Sequence, residues 1–225
     1  MPVLSRPYGI LRRGSKALAA IVAVLLLAGR VAAADPVTIL ALGDSLTAGY
    51  GLAPEQGFVP QLQDWLGAQG QDVVVLNGGV SGDTTAAALA RLDWALSPEV
   101  DAMIVTLGGN DVLRGLDPGE AKANLDAILS RADALGLPVL LVGMQAAGNY
   151  GQGYKTAFDG MYPALAEAHG ALLAPSFFAG LGAGGDPAAA RGLMQADGLH
   201  PNPDGVKKIV AALGPYVEQL IQKVR

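Results

Sequence analysis

From residue 37 onward the sequence alternates between short apolar runs and longer segments with helical spacing, and this alternation most narrows what the chain can become. Runs rich in Val, Ile and Leu occur at "VTILAL" (37–42), "DVVVL" (72–76), "VDAMIVTL" (100–107), "LPVLLVGM" (137–144) and "ALLAPS" (171–176). Between and after them come "FVPQLQDWLGAQ" (58–69), "TTAAALARLDWAL" (84–96), "PGEAKANLDAILSRADALG" (118–136), "YKTAFDGMYPALAEAHG" (154–170) and "NPDGVKKIVAALGPYVEQLIQKV" (202–224). Strands buried on both faces read as continuous apolar runs, and parallel strands need a crossover between them, usually a helix. The pattern predicts an α/β sandwich around a mostly parallel sheet of about five strands. With 225 residues, 51% of them hydrophobic, the chain is long enough to bury one substantial core. No internal repeat is present, and the glycines and prolines are spread along the chain with no low-complexity block.

The first 34 residues are of another kind. Arg6, Arg12, Arg13 and Lys16 precede an uncharged run from Ala17 to Gly29, followed by small residues at Ala32 and Ala34. A basic start, a short apolar stretch and an A-x-A end make a secretory signal peptide, with cleavage expected before Asp35. A membrane span needs about 20 apolar residues, so an uncleaved anchor is the weaker reading. A twin-arginine signal is weaker still, because "GSK" follows Arg12-Arg13. The expected organisation is therefore a signal peptide over 1–34 and a single domain over 35–225, located in the periplasm or secreted, with no membrane span after cleavage.

The whole chain carries a net charge of −5; setting aside the five basic residues of 1–34 leaves 10 basic against 20 acidic residues, a net charge of −10. Such a surface repels phosphate backbones, and nucleic acid is not an expected partner. The absence of cysteine excludes disulfides, thiolate metal sites and a lipidated cysteine. A monomer is favoured.

In parallel sheets ligands bind beyond the carboxyl ends of the strands. The loops expected there carry "GDS", "NGGVSGDTT" and "GGND", with "ADGLHPNPDG" before the last helix. A serine hydroxyl attacks an ester only when an adjacent base, usually histidine, takes its proton and a third group orients that base. Of the two histidines, His169 closes a helical segment before Gly170, where a cation and a glycine cap have a purely structural explanation. His200 lies in a loop three residues after Asp197, close enough for the carboxylate to reach one imidazole nitrogen and leave the other for Ser45. Acyl transfer also needs donors aimed at the developing oxyanion. The Ser45 N–H, if a helix begins there, the Gly82 N–H and the Asn110 side-chain amide are the candidates, although Gly82 and Asn110 are also ordinary turn residues.

"GDSL" (43–46), "SGDT" (81–84), "GGND" (108–111) and "DGLH" (197–200) resemble, in order, the four blocks of the GDSL or SGNH hydrolases, over nearly all of residues 35–225. "LGGNDVLRG" and "NYG" (149–151) are similar to the bacterial periplasmic branch of acyl-CoA thioesterases, lysophospholipases and arylesterases. The resemblance implies a flavodoxin-like three-layer α/β/α fold and hydrolysis of carboxylic esters or thioesters through an acyl-enzyme. It implies Ser45 as nucleophile, His200 as base, Asp197 as its orienter, and Ser45, Gly82 and Asn110 as the oxyanion hole. No cofactor or metal is implied.

Val112, Leu113 and Leu116 follow the third block and are expected to form part of an acyl pocket; Asn149 and Tyr150 are expected to border the substrate. Asp44, Asp83 and Asp111 are read as loop-bracing acceptors and not as a metal site. "GLGAGG" (180–185) and "GNYGQGYKT" (148–156) mimic nucleotide-binding loops, but the first lies too late in the chain and Tyr154 displaces the lysine of the second. Two other functions share these residues: an O-acetylesterase acting on sugars, against which the 5% aromatic content weighs mildly, and a non-catalytic binding protein of the same fold.

Overall fold

The computed structural model describes residues 1–2, 35–182 and 190–225. The chain divides into two units, Met1–Asp35 and Pro36–Arg225, and the second carries the fold described below. The expected signal peptide lies outside the described residues but for Met1 and Pro2.

Five strands, β1 (Val37–Gly43), β2 (Val73–Gly79), β3 (Ala102–Thr106), β4 (Val139–Val142) and β5 (Leu172–Ala174), form one sheet in the order β2-β1-β3-β4-β5. Every pairing is parallel. The central strands are buried on both faces, as their unbroken apolar sequences require, whereas the edge strand β2 alternates, with Val74 turned to solvent.

Eight helices complete the described fold: α1 (Ser45–Ala48), α2 (Phe58–Ala68), α3 (Thr85–Ala90), α4 (Leu92–Ala95), α5 (Gly109–Leu113), α6 (Pro118–Ala134), α7 (Gln152–His169) and α8 (Pro203–Val224). α3 packs on α6 and α6 on α7, apart from α2, as right-handed crossovers in this strand order require. The long α8 returns to pack on α2. The result is a three-layer α/β/α sandwich of flavodoxin-like strand order. Its core joins Ile39, Leu42, Met103 and Ile104 of the sheet to Leu62 of α2, Leu125 of α6, Phe158 of α7 and Ile209 of α8.

One expected element is broken. The spacing of 84–96 predicts a single helix, but the chain forms α3 and α4 with an interruption at Arg91 (φ −107°, ψ 4°). The Arg91 guanidinium turns instead to the strand ends, donating to the carbonyls of Gly43 (3.1 Å) and Gly78 (2.8 Å).

The sheet positions the site. The register aligns Gly43 of β1 with Gly79 of β2 and Thr106 of β3, so these three strands end level with one another. The chain leaves β1 toward β2 and later returns on its other side at β3, so the segment after Gly43 opens at the point where the strand order reverses.

The approach of α2 and α8 depends on Gly214, where an added Cβ would overlap the Trp65 ring. Gly214→Ala is expected to cost about 1–3 kcal/mol of stability through overpacking, read as a lowered Tm, while kcat per folded molecule is unchanged.

Candidate active site

Ser45 is presented by a sharp exit from β1. Asp44 leaves the strand with φ −106° and ψ −144°, and its carboxylate caps α1 by accepting the Leu46 N–H at 3.0 Å. Gly43 is required here, because a Cβ would overlap the Thr47 side chain. Helix α1 runs only to Ala48 and ends at Gly49 in the left-handed region (φ 82°).

The segment 194–201 is closed by a bridge between Met194 and Pro201 and by the Gln195 N–H donating to the His200 carbonyl at 2.8 Å. The Gln195 amide also donates to the carbonyls of Tyr50 and Pro201, tying this loop to the one after α1. Within it, one Asp197 oxygen accepts the Leu199 and His200 N–H groups and the other takes the His200 Nδ1–H at 2.7 Å. The opposite ring nitrogen, Nε2, accepts from Ser45 Oγ at 2.9 Å. The hydrogen bond from the His200 ring, followed by those from the backbone, holds the Asp197 carboxyl down to about 2. Tyr50 packs on the imidazole, with ring centroids 4.7 Å apart.

The second and third loops meet beside Ser45. Gly82 adopts φ +88°, a conformation glycine tolerates, and its carbonyl accepts Arg114 Nη2 at 2.8 Å. The Asn110 amide donates to the Asp83 carbonyl at 3.0 Å and more weakly to Asp44 Oδ2 at 3.3 Å. Among the described residues, the Ser45 and Gly82 N–H groups donate to no protein acceptor.

The three loop carboxylates each have protein donors. Asp44 takes Leu46 and Asn110, Asp83 takes Arg91 Nε at 2.6 Å, and Asp111 takes both the N–H and the hydroxyl of Thr85. No group of three potential metal ligands occurs among the described residues. Burial pushes the Asp44 carboxyl up to about 6, against the opposing pull of the Leu46 N–H and the His200 charge.

Beside Ser45 and His200 lies a cavity of about 360 Å³ walled by Leu46, Val112, Leu113, Met144, Phe178 and Leu199. Of the residues expected to border the substrate, Val112 and Leu113 line it and Leu116, Asn149 and Tyr150 do not. The chain turns away at Gly115 (φ +63°), leaving Leu116 38% exposed, and the 44% exposed Tyr150 rests on the outside with its hydroxyl donating to the Leu113 carbonyl. Sequence reasoning misses Tyr50, Met144, Phe178, Arg91 and Arg114; the one signal that could have found any of them is the place of Arg91 as the lone cation of residues 84–96.

Lys155, of the P-loop mimic, is engaged by Asp159 and the Ala146 carbonyl, both at 2.7 Å. Residues 183–185 of the other mimic lie outside the described residues. His169 sits far from Ser45 in the fold, at the end of α7, before Gly170 in the left-handed region. Its ring bridges Asp133 (2.6 Å) and Asp126 (3.0 Å) of α6, which raise its pKa, Asp133 foremost.

The model of the GDSL-like lipase/acylhydrolase family matches residues 41–208, three quarters of the chain, including every block described above. The chain belongs to this family. As an acylhydrolase it is an ester-cleaving enzyme. It is 40% identical to an esterase, TesA, from Pseudomonas aeruginosa, over 82% of this chain and 89% of that one. It is 35% identical to "Thioesterase 1/protease 1/lysophospholipase L1" of Escherichia coli K12, over 88% and 90% of the two chains. The crystal structure of AlinE4, a SGNH-hydrolase family esterase, superposes with a TM-score of 0.68 at 42% identity, covering 83% of this acylhydrolase and 97% of AlinE4.

The two aspartates give opposite pH signatures. Asp44 is raised from 3.8 to about 6, so its contribution to stability is fully present below pH 3.8 and is lost as pH rises through about 6. Asp197 is lowered to about 2, so its contribution holds above 3.8 and is lost as pH falls through about 2. Thermal unfolding across pH is expected to show the acylhydrolase losing roughly 3 kcal/mol relative to Asp44→Asn between about pH 4 and 6.

Proposed function

We propose that the enzyme hydrolyses carboxylic esters and thioesters of apolar acyl chains through an acyl-enzyme on Ser45. The observation that carries this reading is the continuous relay Asp197–His200–Ser45, with contacts of 2.7 and 2.9 Å. His200 Nε2 takes the hydroxyl proton as Ser45 Oγ attacks the carbonyl carbon, and Asp197 orients the ring and stabilises its positive charge. The oxyanion is received by the Ser45 and Gly82 N–H groups and by the Asn110 amide, which gives up its long contact with Asp44. Collapse of the tetrahedral intermediate sends the proton to the departing alkoxide or thiolate and leaves the acyl group on Ser45. Water then repeats the sequence, with His200 again as base, and releases the acid.

The apolar cavity wall supports an acyl chain as the bound group and argues against a sugar, which would call for more polar partners. The printed activities of the relatives, esterase and thioesterase, support the same substrate class. We also assign residues 1–34 as the export signal of a mature enzyme beginning at Asp35 and acting in the periplasm or outside the cell. No helix among the described residues is long and apolar enough to cross a membrane.

With p-nitrophenyl esters from acetate to palmitate, activity is expected to peak above acetate, and Ser45→Ala to lower kcat by at least roughly 10⁴-fold. Activity confined to acetate would replace this reading with a deacetylase. Asn110→Ala is expected to lower kcat by roughly 10²- to 10³-fold. Leu113→Ser is expected to lower kcat/KM for the longer esters selectively, measured against the acetate ester.

A further inference from the structure

The interruption between α3 and α4 has no explanation in helix propensity, since Ala-Leu-Ala-Arg-Leu is good helix sequence. Its explanation is where Arg91 goes. The guanidinium donates to the Gly43 carbonyl, two residues before Ser45, to the Gly78 carbonyl at the end of β2, and to the Asp83 carboxylate. The arginine and aspartate side chains are 18% and 11% exposed, so the ion pair is largely out of solvent.

Asp83 is the shared frame of two oxyanion donors. It follows Gly82 directly, its own N–H is fixed on the Val80 carbonyl at 3.1 Å, and its carbonyl accepts the Asn110 amide at 3.0 Å. The Val80 N–H in turn donates to the Gly43 carbonyl, at 3.0 Å, the same oxygen that Arg91 holds. One side chain thus links the strand that delivers Ser45 to the residue from which both Gly82 and Asn110 take their position.

We propose that Arg91 is a positioning residue for the oxyanion hole, setting the Gly82 N–H and the Asn110 amide relative to Ser45 without touching substrate. This inference rests on the oxyanion roles proposed above. Arginine suits the task where lysine does not, because a rigid planar fork of five donors serves three acceptors in fixed directions. Arg91 makes no contact with Asp197 or His200, so the proton relay is outside its reach.

The test compares Arg91→Lys and Arg91→Met with the unaltered enzyme, using kcat per active site titrated with a phosphonate ester. A misplacement on the order of 1 Å costs about 10²-fold, so kcat is expected to fall roughly 10- to 100-fold with KM within about twofold. The rate of phosphonylation, whose oxygen occupies the same hole, is expected to fall by a similar factor, and the pH profile to stay in place. The double variant Arg91→Lys with Asn110→Ala is expected to lose less than the product of the two single losses. Titrated sites that keep full kcat while Tm drops would make Arg91 a structural ion pair only and overturn the inference. So would losses that multiply independently. Asn110→Ala with full kcat would instead remove the oxyanion reading itself, which separates the two failures. If Arg91→Met does not fold, Arg91→Lys carries the comparison.

Discussion

Parallel strands end in backbone carbonyls that the neighbouring strand no longer takes up, and in this enzyme the closing of those ends is what the site is built from. The Gly43 oxygen of β1 receives the Val80 N–H and Arg91, and the Gly78 oxygen of β2 receives Arg91 again. Beyond β3 the Leu107 oxygen accepts the Tyr162 hydroxyl at 3.0 Å, and beyond β4 the Gly143 oxygen accepts the Phe177 N–H at 2.9 Å. Buried polar groups left without a partner are costly, so each strand exit demands a donor and thereby a loop of defined path. The geometry of the proposed site is a by-product of that demand, since the same loops carry Ser45, Gly82 and Asn110.

The acidic residues at this edge show how environment divides one residue type into separate tasks. Asp197, open to solvent and satisfied by donors, is a stable anion beside His200. Asp44, enclosed behind Ser45, resists ionisation yet still caps the short helix that carries Ser45. Asp83 and Asp111 brace their loops against Arg91 and Thr85. The overall acidity of the chain says nothing about these roles, which depend on burial and partner.

Features governed by local sequence are legible in the sequence alone. The alternation of apolar runs and helical segments suffices for the sheet and its crossovers, and the four polar blocks single out Ser45, Gly82, Asn110, Asp197 and His200 as candidates, because each block lies in a loop whose end is marked by a strand or helix. Features governed by contacts distant in sequence are not. Arg91 reaches back 48 residues to Gly43, and that contact overrides a helical pattern that reads as continuous. Phe178 and Met144 meet the cavity only because the parallel sheet ends β4 and β5 at the same edge as β1. Leu116 falls outside it because a left-handed turn at Gly115 redirects a chain whose apolar character is unchanged, and Tyr150 rests on the outside with its hydroxyl on the Leu113 carbonyl. His169 shows a milder version: its place at a helix end was readable, but the two aspartates of α6 that grip it were not.

The relay joins two very different kinds of neighbour. His200 is three residues from Asp197 and 155 from Ser45. His200 and Asp197 therefore sit together on one small loop, stitched by its own backbone, and the loop presents them as a unit. What joins that loop to the end of β1 is the Ser45 contact itself and the Gln195 amide on the Tyr50 carbonyl. The pair needs nothing from the sheet to keep its own geometry, and the fold has one long-range alignment left to set, that of a finished histidine–aspartate unit on Ser45.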